Sequence, residues 1–89
     1  MVEQSPAIKR RENRLISKYI EETASSGGAR LKINGIHVWA LVGYSEVVGG
    51  DLRTVARDYE LPLPAVRAAM AYHRRNKEPI DARLILNRA

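Results

Sequence analysis

The chain has 89 residues, 15 of them Lys or Arg against ten Asp and Glu, and neither Cys nor Phe. That length suits one small domain with one modest core, and the missing cysteine excludes disulfides and thiolate metal sites. No apolar run approaches the roughly 18 residues of a membrane span, so a cytoplasmic protein is expected, and the formal charge of +5 suits a polyanionic partner.

A domain this small gains from association, and a homodimer is expected. Ser5 and Pro6 read as the N-cap and first residue of a helix. Ile8, Leu15, Ile16, Tyr19 and Ile20 share one face at three- and four-residue spacing. The opposite face carries Lys9, Arg10, Arg11, Arg14 and Lys18, with Glu21 and Glu22 near the end. Charges in that order oppose the helix macrodipole. The block is either a solvated face, which is the simpler reading, or a surface kept for phosphates or an acidic partner. TASSGGA (residues 23–29) then breaks the helix, which makes residues 1–26 an amphipathic arm able to pack on a second subunit.

Next comes RLKINGIHVW, in which Asn34 and Gly35 suit a two-residue hairpin turn. Leu31 and Ile33 before the turn, with Ile36 and Val38 after it, alternate as a short ribbon would. Arg30 and Lys32 flank that ribbon and could meet a nucleic-acid groove from a dyad-related pair; the simpler alternative is a ribbon that dimerises or covers the core. Helical spacing resumes from Val38 to Val48, where Trp39 reads as a core anchor, and Gly49-Gly50 ends it. Asp51 is a good N-cap for a helix over Leu52–Tyr59. A further helix runs from Leu63 to Arg75, Glu78-Pro79 interrupts, and IDARLILNRA closes the chain as a short helix.

TVARDYELPLPAVRAAMAYHRR (residues 54–75) has the spacing of a helix-turn-helix. Ala56 is the small residue at the helix crossing, and Val66, ten positions on, is the residue that docks on it. Val55, Leu61, Ala69 and Met70 fill out that core. Glu60 stands where a glycine is usual at the turn. Pro64 fits the first turn of a helix, where its missing N–H breaks no bond. That turn offers only Leu63, Pro64 and Ala65 to base edges, so Arg67 is the one early side chain able to grip guanine bidentately. Arg74, Arg75, Arg53 and Arg57 suit phosphates.

Catalysis is not expected. His37 and His73 have no second ligand at metal spacing, the acids are scattered, and Ser17, Ser25, Ser26 and Ser45 have no base arranged around them in sequence. Gly27-Gly28 and Gly49-Gly50 are too short for a phosphate loop. No cofactor is expected.

The run VRAAMAYHRRNKEPIDARL (residues 66–84) resembles the C-terminal signature of domain-of-unknown-function family 433, and GGARLKINGIHVW (residues 27–39) is similar to that family's entry segment. The family's Gly-Thr-Arg and Ile-Pro-Val are replaced here by Ile33-Asn34-Gly35 and Ile36-His37-Val38. The resemblance implies a mainly α fold: a small helix-turn-helix, three-helical DNA-binding-like domain with a short N-terminal β-hairpin, over residues 27–89. It also implies an antitoxin of the VapB type, which neutralises a PIN-like ribonuclease toxin and represses its own operator in double-stranded DNA. The toxin would be held by the N-terminal arm or by the tail IDARLILNRA, in which Leu84, Ile85 and Leu86 would fill a groove and Arg83 or Arg88 would reach the acidic metal site. The alternative is a protein–protein module that binds no DNA and uses the helix pair only as a scaffold.

Overall fold

The structure, a computed structural model, describes residues 6–23 and 28–88. In chain order these form α1 (Pro6–Tyr19), β1 (Ile20–Glu21), β2 (Arg30–Leu31), α2 (Val38–Val47), α3 (Leu52–Asp58), α4 (Leu63–Arg75) and α5 (Lys77–Arg88). The fold is mainly helical with one small antiparallel sheet. Among the described residues no helix is long and apolar enough to cross a membrane.

Helix α4 is the centre of the packing, with α1, α2, α3 and α5 all against it. Its sequence explains why. Ala65, Val66, Ala68, Ala69 and Ala71 are all buried, and small side chains spread around a helix let several neighbours approach it closely. The larger buried side chains come from the surrounding elements: Leu31, Val38, Leu41 and Val55 are essentially fully enclosed. Truncating Leu41 to Ala would cost roughly 2–5 kcal/mol through lost transfer energy and the cavity left behind.

Helix α1 is fastened to the body of its own chain. Leu15, Ile16 and Tyr19 pack on the core, and Ile20 continues directly into the sheet, opposite Leu31. The expected N-cap, Ser5, and most of the expected break after Thr23 lie outside the described residues, as does the expected boundary at residue 26.

The expected ribbon is present in shortened form, with the Val38 N–H donating to the Ala29 carbonyl at 3.0 Å, and a further strand joins it. Ile20–Glu21 is the strand that pairs with Arg30–Leu31, and the residues after the turn contribute one isolated bridge, Arg30 with His37. The turn is longer than two residues: the Leu31 N–H donates to the Ile36 carbonyl (2.8 Å) and the Gly35 N–H to the Leu31 carbonyl (2.9 Å). Asn34 uses its side-chain oxygen to accept the Ile36 N–H at 3.0 Å. Only Gly35 takes positive φ there, at 77°, whereas a two-residue type I′ turn needs both central residues in that region.

Two helix ends share one chemistry. After α2, the Gly50 N–H reaches the Ser45 carbonyl (2.7 Å) and the Gly49 N–H the Glu46 carbonyl (3.3 Å), with Gly49 at φ 67°. After α3, the Leu61 N–H reaches the Ala56 carbonyl (2.8 Å) and the Glu60 N–H the Arg57 carbonyl (3.2 Å). Both are Schellman closures. In the second the left-handed position is held by Glu60, at φ 54°. Asp51 starts α3 as expected, accepting the backbone N–H of Arg53 (3.1 Å) and of Thr54 (3.3 Å).

Pro79 does not interrupt a helix. The break falls at Asn76, the C-cap of α4, and Pro79 sits in the first turn of α5, where a backbone N–H has no helical acceptor to lose.

Candidate nucleic-acid interface

Helices α3 and α4 pack against each other, and the two residues expected at their crossing both lie in the buried core. Ala56 is 8% exposed and Val66 is fully buried. The connection, Tyr59–Pro62, is fixed by the Schellman closure and by Leu61, which is buried in the core. Pro62 is the N-cap of α4, and Pro64 falls in its first turn. Met70 is half-buried against the same core.

The arginines singled out in the sequence fall into two groups. Four cations are engaged within the fold. The Arg74 guanidinium donates to Glu12, and Arg75 donates to Asn13, to Glu12 (3.2 Å) and to the Lys9 carbonyl (3.3 Å). Arg30 pairs with Glu21 across the sheet at 2.7 Å. Lys32 donates its ammonium to the Ser17 carbonyl at 2.7 Å, near the C-terminus of α1, where a cation suits the helix dipole. Arg57 is a weaker case: it pairs with neighbouring Asp58 at 3.1 Å, yet its side chain remains 74% exposed.

Arg53 and Arg67 form the second group. Both are exposed, and their side chains hold no hydrogen bond or ion pair among the described residues. Arg67 lines a shallow concavity with Glu12, Leu15, Leu52, Met70 and Arg74. Arg53 stands next to Leu52 in α3, a residue that lines the same concavity as Arg67. Leu15 also lines an adjoining concavity, with Arg11, Arg14 and Lys18.

Glu12 was not among the candidate residues, and it turns out to be the organising acid of this surface. It is only 9% exposed, between two guanidiniums. Its position carried the signal: 12, 15, 16 and 19 are one helical stripe, so a carboxylate at 12 had to be buried with the apolar residues or to find cations there.

Two acids are tuned by their neighbours. Asp58 is held below the usual carboxylate range, first by the hydroxyl of Tyr44 and then by Arg57. The Tyr44 hydroxyl is held above its usual range by the same bond. Asp51 is lowered chiefly by the Thr54 hydroxyl, which donates at 2.9 Å, and by the backbone N–H groups it caps.

The tail residues separate. Leu84 is 7% exposed and belongs to the core, its methyl lying over Gly43 of α2. A partner would therefore have to be met by Ile85 and Leu86, which are 65% and 70% exposed. Arg83 is half-buried beside Trp39, Tyr72 and Ile80, and the side chain of Arg88 lies outside the described residues. A separate open groove of about 570 Å³ runs between α2 and α5, lined by Trp39, Gly43, Tyr44, Val47, Tyr59 and Leu84 among others.

His73 stands 2.8 Å from Asp81 and ties α4 to α5. No group of three or more metal-ligating side chains comes together among the described residues. Compared with known proteins, the chain matches no family model, no curated sequence and no solved structure.

Proposed function

We propose that the chain is a helix-turn-helix protein that binds double-stranded DNA through α3, α4 and the surface beside them, and that it acts as the antitoxin and autorepressor of a toxin–antitoxin pair. The observation that carries the DNA reading is the division among the arginines. Arg74 and Arg75 are occupied by Glu12, while Arg53 and Arg67 are exposed and have no partner within the described residues. A guanidinium left without an internal acceptor is available to a phosphate or a guanine edge.

The burial of both Ala56 and Val66 and the Schellman closure ahead of Pro62 support the same reading, because a recognition helix must be held against the helix before it. With Leu63, Pro64 and Ala65 in its first turn, α4 reads little sequence, and Arg67 carries most of what it does read. The antitoxin half rests on the resemblance of residues 27–84 to its family. Its partner segment is α5, where Ile85 and Leu86 are exposed.

Binding to duplex DNA from the protein's own promoter, compared with a scrambled duplex, tests the reading. A preference for the promoter is expected, and Arg67→Ala should reduce that preference at one base pair by roughly 1–3 kcal/mol. Equal and weak binding to both duplexes would refute sequence-directed repression. The rival role, a protein–protein module with the helix pair as scaffold, is favoured by the open groove between α2 and α5, where Val47 is 77% exposed.

A further inference from the structure

The geometry points to α1 as a second DNA-contacting element, in which Arg11, Arg14 and Lys18 grip the sugar–phosphate backbone of the duplex that α4 engages. This inference rests on the DNA-binding reading above and extends it to a helix outside the α3–α4 pair.

Three observations carry it. Arg11, Arg14 and Lys18 line a single concavity with Leu15, so they form one stripe at three- and four-residue spacing. At 1.5 Å rise per residue the stripe spans about 10 Å, roughly the rise of three nucleotides along one strand. Leu15 is also a wall of the concavity that holds Arg67 and Arg74, so the α1 stripe and the exposed guanidinium of α4 belong to one continuous surface.

The second observation is charge balance. The acid described in that surface, Glu12, is 9% exposed and faces both Arg74 and Arg75. Two guanidiniums against one carboxylate leave the site net positive. The carboxylate meanwhile anchors α1 to α4, which fixes the stripe relative to Arg67.

The third is local. Helix α1 has no acidic residue in its first turn, and Lys9, Arg10 and Arg11 crowd its N-terminal half. The helix dipole disfavours cations there. A polyanion would turn that unfavourable placement into attraction. The polyanion that fits is duplex DNA, because the stripe adjoins, through Leu15, the concavity that Arg67 lines.

The test is a salt series on the full chain with promoter and scrambled duplexes, comparing wild type with the triple variant Arg11→Ala, Arg14→Ala, Lys18→Ala. Each phosphate contact contributes about 0.9 to the slope of log affinity against log salt. The triple variant should therefore show a slope shallower by roughly 2–3. Its preference for promoter over scrambled duplex should be unchanged, because phosphate contacts carry no sequence information. A second variant, Arg11→Lys with Arg14→Lys, keeps the charges and should keep the wild-type slope.

If wild type binds DNA and the triple variant binds with the same affinity and slope, α1 does not touch the duplex and the inference is overturned, while the DNA reading stands. Loss of the slope in the charge-preserving variant would overturn it as well. If wild type binds neither duplex, the DNA reading itself fails and this inference falls with it.

Discussion

Glu12 and Arg74 stand 62 residues apart in the chain and share an ion pair that fastens α1 to the end of α4. Arg75 completes the cluster on the other carboxylate oxygen at 3.2 Å. The carboxylate side chain is only 12% exposed while that of Arg74 is 55% exposed, so the two sides of the pair respond differently to loss. Replacing both arginines by Ala leaves a nearly buried carboxylate without these cations, and the expected cost is about 3 kcal/mol. Glu12→Gln leaves guanidiniums that water can reach, and about 1 kcal/mol is expected. Denaturant unfolding of the two variants checks the asymmetry; equal losses would show that the burial of Glu12 is energetically unimportant.

Glu60 holds a left-handed backbone conformation at a Schellman closure, φ 54°, where a side chain costs free energy that glycine avoids. Glu60→Gly is therefore expected to raise stability by about 1 kcal/mol, seen as a higher denaturation midpoint at unchanged slope. A lower midpoint would mean that the glutamate side chain contributes more than its backbone strain removes.

Gly43 and Leu84 are coupled across the α2–α5 contact. A Cβ placed on Gly43 would lie 3.1 Å from the Leu84 methyl. In a helix interior Gly→Ala is normally worth about 1 kcal/mol. Here Gly43→Ala should yield much less than that, because Leu84 must give way. In a Leu84→Ala background, itself destabilised by roughly 2–5 kcal/mol, the full gain should reappear. Additive effects in this double-mutant cycle would contradict the contact.

Much of the helical layout was legible from local chemistry. The glycine pair after α2, the Asp51 cap and the tolerance of a first helical turn for Pro64 each act within a few residues, so Leu63–Arg75 could be bounded from sequence. The sheet could not. Its first strand, Ile20–Glu21, continues the helical spacing of α1 without a break, and its partner lies beyond the segment TASSGGA. The Asn34-Gly35 dipeptide points to a two-residue turn because Asn tolerates positive φ, whereas here its carboxamide closes a longer one. Of the candidate site, the exposure of Arg67 was readable from the α4 periodicity, but the engagement of Arg74 and Arg75 was hidden, since their acid lies on a helix at the opposite end of the chain.

The bond between Tyr44 and Asp58 predicts a dependence on pH at both extremes. Asp58 titrates below its usual range in the fold, so the unfolded chain binds more protons near pH 4. Its contribution is present above about pH 4 and is lost as pH falls through the lowered folded value. Tyr44 titrates above its usual range, so its contribution is present below about pH 10 and is lost as pH rises through the raised folded value. Tyr44→Phe should flatten the stability profile at both ends. Thermal unfolding across the range checks this, and a profile parallel to wild type would show that the bond does not persist in solution.

The most direct measurement of the central proposal is a titration of isotopically labelled protein with its promoter duplex, followed by NMR. Perturbed signals at Arg11, Arg14, Arg53 and Arg67, reversed by added salt, are the expected result, with Tyr44, Val47 and Ile85 unmoved. Perturbations confined to Tyr44, Val47 and the exposed face of α5, or none at any residue, would contradict a DNA interface built on α1, α3 and α4.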